Sequence, residues 1–191
     1  MDLAFVVDSS ASVKEPDFRV GLDFVVNVCQ FFNIGYPAGT RIALIRFSSF
    51  PKIIFRFNTF INKNDVLDAI RATTYEAGGT RTDLALLEAH KQIFGNPANG
   101  VRPKELGVPR VLVLLTDGRS TSGMDAIVNS STLLRQDGVN IFVIAIGKNI
   151  NQQELNIIAS DPDADHVVSS NTFAEVNNMV KKMREYSCYG K

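Results

Sequence analysis

Apolar and polar residues alternate along the chain in two rhythms, which predict two kinds of element. Three runs, at residues 3–7, 111–115 and 141–146, are continuously apolar. Such runs are typical of parallel strands that are covered by helices on both faces. Between them, apolar residues recur at steps of three and four, which is the spacing of amphipathic helices. The alternation predicts an α/β fold with a doubly wound sheet.

The remaining elements follow from the same pattern. Strands are also predicted at residues 41–47 and 53–57. The link between them is too short for a crossover helix, so they should form a hairpin whose second strand is antiparallel at the sheet edge. The clearest helix has its apolar stripe at Phe18, Leu22, Val25, Cys29 and Phe32. Further helices are predicted over residues 63–71, 83–94, 124–136, 151–159 and 172–186.

The composition fits one compact domain, residues 1–191, without a global electrostatic field. The chain is 45% hydrophobic and balances 20 basic against 20 acidic residues. A net charge of zero gives no general attraction to nucleic acid, so a local site must recognise any partner. No apolar run reaches the roughly 18 residues of a membrane span. Because the first strand begins almost at residue 1 without a signal-peptide pattern, we expect a domain of a longer precursor.

Oxygen-bearing residues follow two of the buried strands. Asp8-Ser9-Ser10-Ala11-Ser12 comes after the first strand, and Thr116-Asp117-Gly118 comes after the strand at 110–115. A third loop, residues 78–83, precedes a helix and contains Thr80. Ligands of open parallel sheets bind at the carboxyl ends of the strands. Each loop alone reads as a cap or a turn, but together they predict a site for a hard cation, Mg²⁺ first, with Ca²⁺ or Mn²⁺ as alternatives.

These segments resemble the von Willebrand factor A family. Asp8 to Ser12 resembles the Asp-x-Ser-x-Ser signature of von Willebrand factor A and integrin inserted domains, residues 79–82 resemble their threonine loop, and Asp117 resembles their second aspartate. The resemblance runs from about residue 3 to residue 186. We therefore predict a Rossmann-like sheet in strand order 3-2-1-4-5-6, with one antiparallel edge strand and helices on both faces.

The resemblance also implies a metal-ion-dependent adhesion site. Ser10, Ser12 and Thr80 would bind the cation through hydroxyls, while Asp8 and Asp117 would hold it directly or through water. With few carboxylates around it, the cation would keep a coordination position for a Glu or Asp of a partner protein. This is a non-enzymatic binding role. Candidate rim residues are Ser9, Arg81 and Arg119, because they flank the proposed ligands.

The cysteines and the last helix carry weaker expectations. Cys29 is predicted to be a buried thiol. The terminal position of Cys188 resembles that of a cysteine that closes the domain in secreted members of the family, and its partner would be Cys29 or a cysteine outside this sequence. The apolar stripe of the last helix comprises Phe173, Val176, Val180 and Met183. By resemblance to integrin inserted domains, sliding of this helix could be coupled to the metal loops.

Several alternatives remain beside the secreted matrix-binding module. A phosphotransferase of the haloacid dehalogenase type needs an aspartate where Ser10 stands, and a nucleotide-binding Rossmann loop needs glycines that residues 8–12 lack. An intracellular member of the family, such as a chelatase subunit, keeps the fold and the Mg²⁺. Collagen binding through an extra short helix is not expected, because few residues separate position 146 from the helix at 151.

Overall fold

The computed structural model describes residues 1–35, 38–147, 150–168, 178–183 and 185. The strands are β1 (Asp2–Asp8), β2 (Arg41–Phe47), β3 (Pro51–Phe55), β4 (Arg110–Thr116), β5 (Val139–Ala145) and β6 (Val167–Val168). The helices are α1 (Glu15–Gln30), α2 (Lys63–Arg71), α3 (Thr82–Glu88), α4 (Met124–Gln136), α5 (Gln152–Ile158) and α6 (Asp163–His166). Residues 178–183 are also helical.

The six strands form one sheet in the order β3-β2-β1-β4-β5-β6. All neighbouring pairs are parallel except β2 and β3, which are antiparallel. The predicted strand order and the antiparallel edge strand are therefore confirmed. Because β1 lies between β2 and β4, the loops that follow these three strands emerge side by side.

Two apolar cores cover the two faces of the sheet. Phe5 of β1 joins the first core with α1, α2 and the helix at 178–183, while Val6 joins the second with α3, α4 and α5. This alternation is the consequence of a strand whose successive side chains point to opposite faces. The predicted stripe of α1 is buried, including Cys29, which is a free thiol. Among the described residues, no helix is long and apolar enough to cross a membrane.

Two predicted elements differ from the observed ones in their bounds or helix type, and part of a third lies outside the described residues. Strand β3 covers Pro51–Phe55 and not residues 53–57. Proline lacks an amide hydrogen, but an edge strand tolerates this at its first residue. The predicted helix at 83–94 is α3 followed by a π-helical segment, Ala89–Phe94. Of the last helix, Val180 and Met183 are buried, whereas Phe173, Val176 and Cys188 lie outside the described residues.

Candidate metal centre

Asp8, the last residue of β1, is buried and held from two directions. Its Oδ1 accepts a hydrogen bond from the amide of Ser10 at 2.8 Å, and its Oδ2 accepts one from the hydroxyl of Thr116 at 2.7 Å. Thr116 ends the neighbouring strand β4. The carboxylate orientation is thus fixed jointly by the loop that follows β1 and by the end of β4.

Asp117 follows β4 directly and is also buried. Its Oδ1 accepts a hydrogen bond from the amide of Arg119 at 3.1 Å. The next residue, Gly118, has a φ of 69°, and a Cβ there would lie 2.7 Å from the side chain of Leu155. Only glycine suits both this backbone conformation and this close approach of α5. Glycine at position 118 is therefore required by packing, and Asp117, between it and β4, lies at the carboxyl edge of the sheet.

Thr80 is brought to the same edge by a loop that contacts its neighbours through the backbone. The carbonyl of Thr80 accepts hydrogen bonds from the amide of Thr121 at 2.8 Å and from the hydroxyl of Ser120 at 3.1 Å. The amide of Ala11 donates to the carbonyl of Gly78 at 3.1 Å. The loop around Thr80 is therefore bonded to the loops after both β1 and β4. In this way the five predicted ligand residues come together at one edge.

The donor atoms fit a small hard cation. The hydroxyl oxygens of Ser10 and Ser12 lie 3.1 Å apart, close to the roughly 3.0 Å between adjacent oxygens of an octahedron with Mg–O bonds of about 2.1 Å. No cluster of three or more His, Cys, Asp or Glu with metal-binding geometry occurs within the described part of the chain. Hydroxyl groups therefore have to supply much of any coordination shell here, which suits Mg²⁺, Mn²⁺ or Ca²⁺ better than a soft metal.

Burial makes the ionised form of this site costly in the absence of a cation. It raises the pKa of Asp8 to about 6. The charge of Asp117 contributes to this rise, whereas the hydrogen bonds from Ser10 and Thr116 oppose it. A divalent cation would compensate for the lost hydration of the carboxylates and for the repulsion between Asp8 and Asp117, because it would offset their negative charges directly.

A third carboxyl group, which the sequence reasoning missed, lies beside these two. Glu154, in the first turn of α5, is only 4% exposed, and its two oxygens accept from the amide of Ser120 at 3.3 and 3.2 Å. Burial, together with smaller contributions from the charges of Asp117 and Asp8, raises its pKa to about 7. Glu154 therefore adds a third carboxyl group at this edge beside Asp8 and Asp117. The sequence could have indicated Glu154 through its position in the first turn of α5, because this helix begins at the same edge of the sheet.

The three predicted rim residues have different surroundings. Ser9 is fully buried, and its hydroxyl donates to the carbonyls of Phe47 at 3.1 Å and Glu76 at 3.2 Å. Its assignment to an accessible rim is wrong, because the side chain points inward to satisfy these carbonyls. Arg81 forms two hydrogen bonds with Asp83, at 2.9 and 2.8 Å, so its charge is already offset.

Arg119 is the rim residue that faces solvent. With Ser120, Ile150 and Asn151 it lines an open cleft of about 870 Å³ beside Asp117. This cleft lies on the β4 and β5 side of the candidate site. It gives a partner room to approach Arg119 from solvent.

The chain matches known proteins over nearly its whole length. The sequence model described as "von Willebrand factor type A domain" matches residues 2–182. The chain is 32% identical over 187 residues to mouse Matrilin-2, over 188 residues to human Matrilin-4, and over 187 residues to the Collagen alpha-1(XII) chain of Notophthalmus viridescens. In each case 98% of this chain is covered, but only 19%, 29% and 19% of the relative. The chain thus spans less than a third of each of these relatives.

Solved structures with the same fold include two metal-bound proteins. Proximal thread matrix protein 1 from the mussel byssus, with a zinc-occupied MIDAS motif, superposes with a TM-score of 0.83 at 25% identity, covering 98% of this chain and 48% of that one. The manganese-loaded Plasmodium vivax TRAP protein gives a TM-score of 0.80 at 22% identity, covering 97% and 72%. Sequence and fold agree over the segments that form the site, and the chain belongs to the von Willebrand factor type A domain family.

Proposed function

We propose that the chain is a protein-binding module that holds one divalent cation, Mg²⁺ in the first instance, and uses it to bind a Glu or Asp side chain of a partner. The cation would contact the hydroxyls of Ser10, Ser12 and Thr80, with Asp8 and Asp117 holding it directly or through water. The observation that carries the proposal is the convergence of two buried carboxylates and three hydroxyl side chains at one sheet edge.

The charge balance favours binding of an acidic partner. In the proposed ligand set, two carboxylates only just neutralise the divalent cation. The other three ligands are hydroxyls, which add no negative charge. An incoming carboxylate would therefore replace water and gain charge-assisted contacts in a partly desolvated place. Arg119, exposed at the edge of the adjoining cleft, would add attraction from one side.

Binding is a better account of the site than catalysis. Glu154 has a pKa near neutrality, as a general base would, but it is buried and both of its oxygens face the amide of Ser120. A general base has to reach the proton that it removes. In this geometry Glu154 instead orders the loop that carries Asp117 and Arg119.

The proposed setting is the extracellular matrix, with the chain as one secreted domain. Two matrilins, a collagen chain and a thread matrix protein are among the similar proteins. A matrix protein that presents Glu or Asp is the proposed partner, and collagen is one candidate. Neither nucleic acid nor a membrane is a proposed partner, because net charge is zero.

Replacing Thr80 with Ala tests the proposal. The contacts of Thr80 with Thr121 and Ser120 use its carbonyl, which alanine retains, so the loop should keep its position. Loss of the hydroxyl should weaken binding to an immobilised matrix protein at least tenfold in Mg²⁺, while stability changes by no more than about 1 kcal/mol. Surface plasmon resonance against collagens and matrilins, run with Mg²⁺ and with chelator, measures the binding.

Thr132→Ala, on α4, is the matched control and should bind as wild type does. Equal binding by wild type and Thr80→Ala, together with no effect of chelation, would contradict the proposed use of a cation.

A further inference from the structure

Phe50 is a large apolar side chain that the turn between β2 and β3 displays to solvent. It is 74% exposed. Single exposed apolar residues are common on protein surfaces, so exposure alone carries no meaning. What distinguishes Phe50 is the attachment of its turn to the loop that contains Thr80. The amide of Gly79 donates to the Ser49 hydroxyl at 2.9 Å, and the amide of Arg81 donates to the Ser48 carbonyl at 2.9 Å.

These two hydrogen bonds fix the position of Phe50 relative to the candidate metal centre. They bind the residues on either side of Thr80 to the two residues that precede Phe50. The turn also follows β2, which pairs with β1 on the side opposite to β4. Since paired strands are about 4.8 Å apart, Phe50 and Asp117 lie on opposite sides of Asp8. The path through the Ser48 carbonyl and the Arg81 amide keeps the Cα atom of Phe50 within roughly 13 Å of that of Thr80.

The charged side chains at either end of residues 76–81 are paired. Ala77 and Gly78 are exposed there and uncharged. Glu76 is paired with Arg46, and Arg81 is paired with Asp83. An apolar group that passes along this surface would therefore displace water without stripping an isolated charge of its solvent.

We propose that Phe50 is a specificity-determining contact for the partner. The partner is a protein segment that gives one carboxylate to the cation and packs an apolar side chain on the ring of Phe50. In an extended segment, which advances about 3.3 Å per residue, that apolar residue lies two or three positions from the acidic one. The inference rests on the proposed cation-dependent function and names the chemistry that the partner needs beside its carboxylate.

Selection from a library of random nine-residue peptides displayed on phage tests this inference. Peptides retained by wild type in Mg²⁺ and released by chelator should contain Glu or Asp, with an aliphatic or aromatic residue enriched two or three positions away. Phe50→Ala should still select the acidic residue but lose the apolar enrichment. Ile61→Ala, a control at a side chain that is 66% exposed before α2, should select as wild type does. A peptide selected by wild type should bind Phe50→Ala at least fivefold more weakly, with Mg²⁺ affinity and melting temperature unchanged.

The failures of the two proposals can be told apart. Two outcomes would overturn the role of Phe50 but not the cation site. One is enrichment of the acidic residue without the apolar residue, and the other is apolar enrichment that persists in Phe50→Ala. Selection without an acidic residue, or without release by chelator, would overturn the proposed function and the role of Phe50 together.

Discussion

Replacing Asp8 with Asn is expected to lower the affinity for Mg²⁺ at least about 100-fold while leaving the metal-free protein as stable as wild type or more so. Asparagine has nearly the same shape, and its amide oxygen can still accept from the amide of Ser10. The hydroxyl of Thr116, now a donor to Asp8, can rotate to accept from the new amide nitrogen. Burial of the carboxylate raises its pKa to about 6, so its ionised form costs stability at neutral pH, and the substitution removes that cost.

Isothermal titration with Mg²⁺, and thermal unfolding in chelator, measure the two sides of this prediction. Asp23→Asn is the matched control, because Asp23 is exposed on α1, and it should change neither quantity. Retention of Mg²⁺ binding within threefold by Asp8→Asn would remove Asp8 from the ligand set. A large fall in the melting temperature of the metal-free variant would show instead that Asp8 mainly supports the fold.

The central strands could be predicted from the sequence because their signal is local. A strand covered on both faces has to be apolar at every position, as residues 3–7 and 111–115 are, and this pattern needs no knowledge of distant residues. Edge strand β3 lacks that constraint, since its burial is only partial. For that reason the sequence pattern does not predict that β3 begins at Pro51. The order of the strands came from the family resemblance and not from periodicity.

Within the candidate site, too, some residues could be predicted from local sequence and others could not. Asp8 and Asp117 could be located because each directly follows a buried strand, and parallel neighbours end at one edge. Ser9 could not be placed, since the carbonyls that draw its hydroxyl inward belong to Phe47 and Glu76, far away in the sequence. Glu154 joins the site only because α5 packs its first turn against the loop after β4. Contacts of this kind depend on tertiary packing, which residue spacing does not encode.

Adding Mg²⁺ is expected to abolish most of the pH dependence of stability between about pH 4.5 and pH 7. In the metal-free protein the pKa of Asp8 is raised from 3.8 to about 6, and that of Glu154 from 4.5 to about 7. The folded state therefore holds protons that the unfolded state has released. The free energy of unfolding should fall as the pH rises from about 4.5 to 7, by on the order of 5 kcal/mol for the two groups together, and then level off.

Carboxyl groups with lowered pKa values act in the opposite sense but in a different range. The pKa values of Asp83, Asp137 and Asp165 lie below the ordinary value of 3.8 because of hydrogen bonds from Arg81, Lys104 and Lys182. Their stabilisation is complete above that value and is lost only in stronger acid. These three groups therefore contribute little between pH 5 and pH 8, the range in which Asp8 and Glu154 titrate.

A bound cation competes with the protons of Asp8 and Glu154. Below the pKa of Asp8 the affinity for Mg²⁺ should grow about tenfold per pH unit. In saturating Mg²⁺ this gain offsets the loss seen without metal, so the free energy of unfolding should stay nearly level across the range in which it falls without metal. Urea denaturation at several values between pH 5 and pH 8, with Mg²⁺ and with chelator, measures both curves. Glu154→Gln, which can still accept from the amide of Ser120, should flatten the metal-free curve between pH 6 and pH 7. Parallel curves with and without Mg²⁺ would show that no cation interacts with these buried carboxyl groups.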